Sequence, residues 1–420
     1  MNNELKHINI QLARQIAHWV NATERLENMD DLASPVAWNN LESYLSISLR
    51  AYLSKAVTGL KLEVLRLKES ATLVKSVSDT RMLHERLSEF RNQFIRVETT
   101  LDFFGDAINT RTSESIASYL RACDLLAYRS MALVLDPQGK PVPAILTYID
   151  KGLGASILKA GLRLWDGTGS NPVAAIKITR HNLLRPTALI HEAGHQVAHI
   201  TGWNEELSSA INNTLSQQET RIRDIWSSWA SEIAADAFAF AHTGYGSVAA
   251  LHDVLACNTS SIFRFVPGDP HPMGYIRILL GVEMCRKFYG AGSWDHLAIA
   301  LENLYSPVNA PSLTRYLINS SIPILRDVVE TIFHKPMRVF AGNAFANVVN
   351  PFRVSPEMLY SMEQELGASL YNSSHWIWTE ALRLLALSSF KAATMYSEKP
   401  NTIYQNENWM LKLGSQIKAA

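Results

Sequence analysis

No charge of either sign dominates this chain, whose 420 residues carry 39 lysines and arginines against 39 aspartates and glutamates. Proteins that neutralise many phosphates need a basic face to release counterions, so no nucleic-acid partner is expected. Long apolar runs are also missing. Nothing approaches the roughly 18 consecutive apolar residues of a membrane-spanning helix, and the opening segment MNNELKHINIQLARQ lacks the apolar core of a signal peptide. Cysteine is scarce. Cys123, Cys257 and Cys285 are odd in number and far apart, which argues against a disulfide framework and for a reducing compartment. A soluble, cytoplasmic protein is the expectation, with export by a route that cleaves no signal as the open alternative.

Repeats and low-complexity tracts are absent too, while 47% hydrophobic and 19% charged residues make an ordinary globular composition. The spacing of apolar residues predicts an α+β protein that is mostly α-helical. Residues 1–110 read as a helical N-terminal domain, with Leu5, Ile8, Leu12, Ile16 and Trp19, and later Leu83, Leu87, Phe90 and Phe94, at helical intervals. LESYLSISLRAYLSKAVTGLKLEVLRLKES keeps the same rhythm, with Gly59 as its weak point. Residues 111–290 form the second domain, in which a small mixed sheet of about four strands is expected. MALVL (131–135) and PAILTYID (143–150) flank the turn signal DPQGKP, and SILKAGLRLWDG (156–167) and PVAAIKITR (172–180) follow across TGSN. Helices are expected at 186–201, 216–242, 247–257, 273–288, 293–305, 311–334 and 375–393. Residues 291–420 make a helical C-terminal domain, with the tail from Ser397 reading as irregular.

The segment TALIHEAGHQVAHITGW (187–203) carries the chemistry. On a helical wheel His191, His195 and His199 share one face and Glu192 flanks it, whereas Leu189, Ile190, Ala193, Val197 and Ile200 take the core side. His191 and His195 are one turn apart, close enough for both imidazoles to reach one zinc ion at ~2.0–2.1 Å. Glu192 then faces the same cleft and suits the general base that takes a proton from an activated water. Gly194 would let another helix approach closely. His199 lies two turns from His191, about 12 Å along the axis, so it is read as a supporting residue. The third ligand must come from elsewhere.

IWSSWASEIAADAFAFA (225–241) supplies it. Its only charged residues, Glu232 and Asp236, are one turn apart on a stripe with Ile225, Trp229 and Phe240. Two acids on the inner side of an apolar helix are costly unless paired or bound to a cation. Glu232 is therefore read as the third ligand of one zinc per chain. Asp236 is read as the acceptor that orients a ligating histidine. Trp203, Trp226 and Trp229 are read as packing residues around this site.

HEAGH followed by SEIAAD resembles the gluzincin branch of zinc metallopeptidases over roughly residues 130–290. The resemblance implies a zincin-like catalytic core, zinc held by His191, His195 and Glu232, Glu192 as base and Asp236 behind a histidine. It also implies a sheet whose edge strand pairs with an extended substrate. Ser231 departs from the asparagine that thermolysin-like members carry before the glutamate.

Negative charge on the attacked carbonyl needs a further donor. In SIFRFVPGDPHPMGYIRILLG (261–281), prolines around Asp269 and after His271 would stiffen the loop and aim His271. His271 or Tyr275 is the candidate donor, and Arg277 the candidate holder of a substrate carboxylate or carbonyl; Tyr245 and His181 are weaker candidates. The leading function is thus a zinc metallopeptidase acting on a peptide or protein. Two alternatives stay open: a helical interaction protein whose zinc site is structural or inactive, with the flanking helices as protein-binding parts, and a zinc hydrolase of non-peptide amides or esters.

Overall fold

The computed structural model describes residues 3–45, 47–163, 170–395 and 400–417. The chain divides into two compact units, Met1–Glu114 with Ala160–Val173, and Ser115–Lys159 with Ala174–Ala420. The boundary expected near residue 290 has no counterpart in this division.

The first unit is built on α1 (Asn3–Arg25), α2 (Pro35–Leu45), α3 (Leu49–Thr72) and α4 (Val77–Asn109). Their i, i+3, i+4 apolar stripes face one another, burying Leu12, Ile16, Leu53, Leu60, Phe90 and Val97. Ile8, expected on the stripe, is 48% exposed. Helix α3 runs through Gly59 without a break. Ser76 and Asp79 form a reciprocal capping box that starts α4.

The second unit opens with most of α5 (Glu114–Leu135), and here the structure corrects the expected hairpin. MALVL is the end of that helix, not a strand. Leu120, Cys123, Leu126, Ala127, Met131 and Val134 are buried at helical spacing, so a 22-residue stripe outweighs the local β-propensity of five residues. DPQGKP becomes a single 3-10 turn ending at Gly139, whose φ of 64° is left-handed. Among the described residues three strands remain, β1 (Ala144–Ile149), β2 (Ser156–Leu158) and β3 (Val173–Ile178), in the order β1-β3-β2. The pairing of β2 with β3 is antiparallel, with Ile157 opposite Ile176. Residues 164–167 of the third expected strand segment, 156–167, lie outside the described residues. Burial of Val173, Ala174, Ala175 and Ile176 in succession means that β3 is covered on both faces. Asp124 of α5 accepts the backbone N–H of Thr147 at 2.7 Å, fastening β1 to that helix.

Helices then follow almost without interruption: α6 (Thr187–Thr201), α7 (Trp203–Thr214), α8 (Thr220–Ser228), α9 (Ala230–Thr243), α10 (Tyr245–Leu255), the short α11 (Thr259–Ile262) and α12 (Gly274–Tyr289). The expected helix 216–242 is thus two, broken at Trp229. The break places Glu232 in the first turn of α9, where the helix dipole favours an anion. Later helices cover Ser293–Leu304, Ser312–Ser321, Leu325–His334, Pro356–Leu366 and Ala381–Thr394. The tail is helical over Pro400–Ile417, not irregular. Helix α9 packs against α6, α7, α10 and Ala381–Thr394, which makes it the central rod of this unit.

Candidate metal centre

The close pairing of α6 and α9 begins with a glycine. A Cβ at Gly194 would lie 2.9 Å from Phe238 Cβ and 3.0 Å from Ala235 Cα, so only glycine allows this approach. His191 and His195 consequently face Glu232 across the seam. Ligand atoms of these three side chains all lie within 4.8 Å of one another. His195 Nε2 is 3.2 Å and His191 Nε2 3.5 Å from the Glu232 carboxylate, and the imidazole planes stand at 85° with centroids 4.7 Å apart.

The other ring nitrogens are held from α9. His191 Nδ1 is 2.9 Å from Asp236 Oδ1, and the Ser231 hydroxyl is 3.4 Å from His195 Nδ1. A proton kept on Nδ1 by these partners would leave Nε2 of each ring free to bind a metal, the tautomer that a metal-binding histidine requires. Two nitrogens and a carboxylate oxygen so arranged match the donor set of a catalytic zinc site. Ser231, noted in the sequence only as a departure from a pattern, thus has a position behind a candidate ligand.

A cleft of about 530 Å³ opens onto this cluster. Gly154, Ala155, Ser156 and Ile157 line one side of it, bringing the edge strand β2 to its rim. Val248, Leu251, Val254, Leu255, Leu280 and Met284 give it an apolar wall. Glu192 also lines the cleft and is 7% exposed. Burial pushes its carboxyl above the usual range. Glu232 behaves oppositely: although burial opposes ionisation, hydrogen bonds with His191 and His195 and the charge of Arg277 hold it far below that range. Burial likewise opposes the charge on His191, yet its contacts with Asp236 and Glu232 push it up to about 10.

His271 enters the cleft from the loop before α12. Its Nε2 is 3.5 Å from Glu232 Oε1, and Asp269 grips its Nδ1 at 2.7 Å while also accepting its backbone N–H. The remaining candidates stand differently. Tyr275 is 1% exposed, packs on Phe263 and does not line the cleft; burial pushes its phenol up to about 12. The periodicity that placed it at a helix start could not show that its face turns to the core. Arg277 lines the cleft, but its guanidinium is engaged by Asp236 and Glu232 and so is not a free substrate clamp. Tyr245 packs on Trp294 and Phe390. His181 contacts Thr179 outside the cleft, and His199 is exposed on the last turn of α6. Trp203, Trp226 and Trp229 are buried as packing residues. Sequence reasoning missed Lys159, next after β2 in the cleft wall, because a lysine just past a strand carries no signal by itself.

No described protein family, curated protein or solved structure matches the chain. No helix among the described residues is long and apolar enough to cross a membrane.

Proposed function

We propose that this chain is a zinc-dependent metallopeptidase of gluzincin type, with a zincin-like core formed by the β1–β3 sheet, α6 and α9. The observation that carries the reading is the convergence of His191, His195 and Glu232 from two helices within 4.8 Å, with Glu192 in the same cleft. A bound zinc would supply Lewis acidity to water and to a carbonyl oxygen. The protein's own residues do the rest. Glu192, its proton affinity raised by burial, suits a base that accepts a proton from water and passes it to the departing amine. Glu232 is fixed as an anion in the same cleft, so the two carboxyls divide their roles by environment. His271, steered by Asp269, is placed to donate towards negative charge developing on the carbonyl oxygen. The edge strand β2 offers backbone groups to an extended chain, which favours a peptide over a small amide or ester.

Elemental analysis of the purified chain should find one zinc per molecule. A peptide-library digest should show cleavage by the wild type that is lost in Glu192→Gln while zinc stays bound. Equal cleavage by both proteins would sink the assignment of Glu192. Turnover of small amides or esters with no peptide cleaved would transfer the site to a different hydrolase class.

A further inference from the structure

Arg277 has no counterpart in the zinc-binding logic of the two motifs, yet it sits at the centre of the cluster. Its side chain is 8% exposed. Nε donates to Asp236 Oδ2 at 2.5 Å and Nη2 to Asp236 Oδ1 at 2.8 Å, a two-point fork. The same Nη2 lies 3.0 Å from Glu232 Oε2 and 3.4 Å from His191 Nε2. One guanidinium nitrogen therefore touches atoms of two of the three candidate ligands, and the rest of the fork holds the acid behind one of them. A guanidinium stays charged under all relevant conditions, and the burial of this one leaves its field weakly screened.

We propose that Arg277 is the internal counter-cation of the metal centre: it braces Glu232 and Asp236 in place when no metal is bound, and it weakens the grip of the same residues on a divalent cation. This rests on the reading of His191, His195 and Glu232 as a metal site. Two buried carboxylates one turn apart repel each other and need a cation between them. Arg277 fills that need from α12. A metal ion held by Glu232 must then share that carboxylate with a permanent positive charge. The centre is consequently ordered before metal arrives and binds it less tightly than its donors alone would. Arg277 is a positioning residue in this account and not a substrate contact.

The test uses the full chain, stripped of metal and then titrated with zinc against a competing chelator, in wild type, R277M and R277K. R277M, unbranched and flexible like the arginine stem but shorter and uncharged, should melt several degrees lower than wild type without metal. It should bind zinc at least about tenfold more tightly, a change that loss of packing alone would not produce. R277K keeps the charge and loses the fork, so it should also melt lower without metal but show no such gain in affinity. Zinc affinity in R277M that is unchanged or weaker overturns the proposal, as does unchanged melting of the metal-free variant. Should R277M be unfolded without metal, recovery of the fold on adding zinc supports it and failure to recover at saturating zinc overturns it. If wild type itself binds no zinc, the metal assignment falls and the affinity half of the proposal with it. The melting of metal-free R277M still reports the brace separately.

Discussion

The two imidazoles of the centre are held unequally. His191 Nδ1 meets a carboxylate at 2.9 Å, whereas His195 Nδ1 meets a neutral hydroxyl at 3.4 Å. Hydrogen bonds with an ionised partner are shorter and roughly twice as strong as neutral ones, so Asp236 should fix its histidine more firmly than Ser231 fixes the other. Burial opposes the charge on Asp236, but Arg277 and His191 together hold its carboxyl well below the usual range. It therefore remains an acceptor near neutral pH. Asp236→Asn replaces that anion with an amide and leaves Arg277 leaning on Glu232 alone. Zinc affinity should fall by about 10- to 100-fold, the usual effect of removing a partner behind a ligand, while Ser231→Ala should cost only a few-fold. Chelator competition on the two variants separates them, and a larger loss in Ser231→Ala would reverse the ranking.

At the level of elements, the seam between α6 and α9 sets the geometry that these side chains use. Gly194→Ala brings two opposing effects. Alanine gains up to ~1 kcal/mol of helix propensity, but its methyl meets Phe238 Cβ at 2.9 Å and Ala235 Cα at 3.0 Å. Overpacking of this kind costs ~1–3 kcal/mol, and the contacts are with a Cα and a Cβ that cannot swing aside. Packing should win. The variant is expected to unfold at lower denaturant and to bind zinc more weakly, because α9 carries Glu232 away with it; a variant as stable as wild type would show that the seam has slack. This glycine was legible in the sequence, as was the grouping of His191, His195, Glu232 and Asp236, because helical periodicity fixes which side chains share a face. Most helices of the second unit were legible for the same reason. What could not be read is what depends on contacts between distant segments. The strand propensity of MALVL was overridden by the stripe of α5. Tyr275 and Arg277 come from one helix turn, yet one faces the core and the other the cluster. The break at Trp229 carries no strong local stop signal, and the start signal of Pro400 was masked by the polar run that surrounds it.

For the whole molecule, balanced charge keeps gross self-repulsion small near neutrality, which leaves individual buried groups to shape how stability depends on pH. His242 is the clearest of them. It lies on α9, 3% exposed, with its ring 4.6 Å from that of Phe238 and with no hydrogen-bond partner for Nε2. Burial pulls its pKa down to about 3; the charge of Arg353 adds to this, and a hydrogen bond with the Ser130 backbone opposes it. An unfolded chain returns this imidazole to about 6.5. Between these two values the unfolded state binds the extra proton, so stability must fall as pH falls from about 6.5 towards 3, and nothing more is lost once both states are protonated. From pH 8 to pH 5 the single group accounts for about 2 kcal/mol of that loss. His242→Gln keeps a donor for the Ser130 carbonyl and has no proton to gain. Denaturant unfolding at a series of pH values should therefore give a flatter acid limb for this variant, with the two proteins converging in slope above pH 7.5 or so. Parallel curves from pH 8 to 4 would place the acid sensitivity of the fold elsewhere. Because His242 belongs to the same helix as Glu232 and Asp236, acid loosening of this rod should also, on the proposed zinc reading, release the metal from the wild type at a higher pH than from the variant.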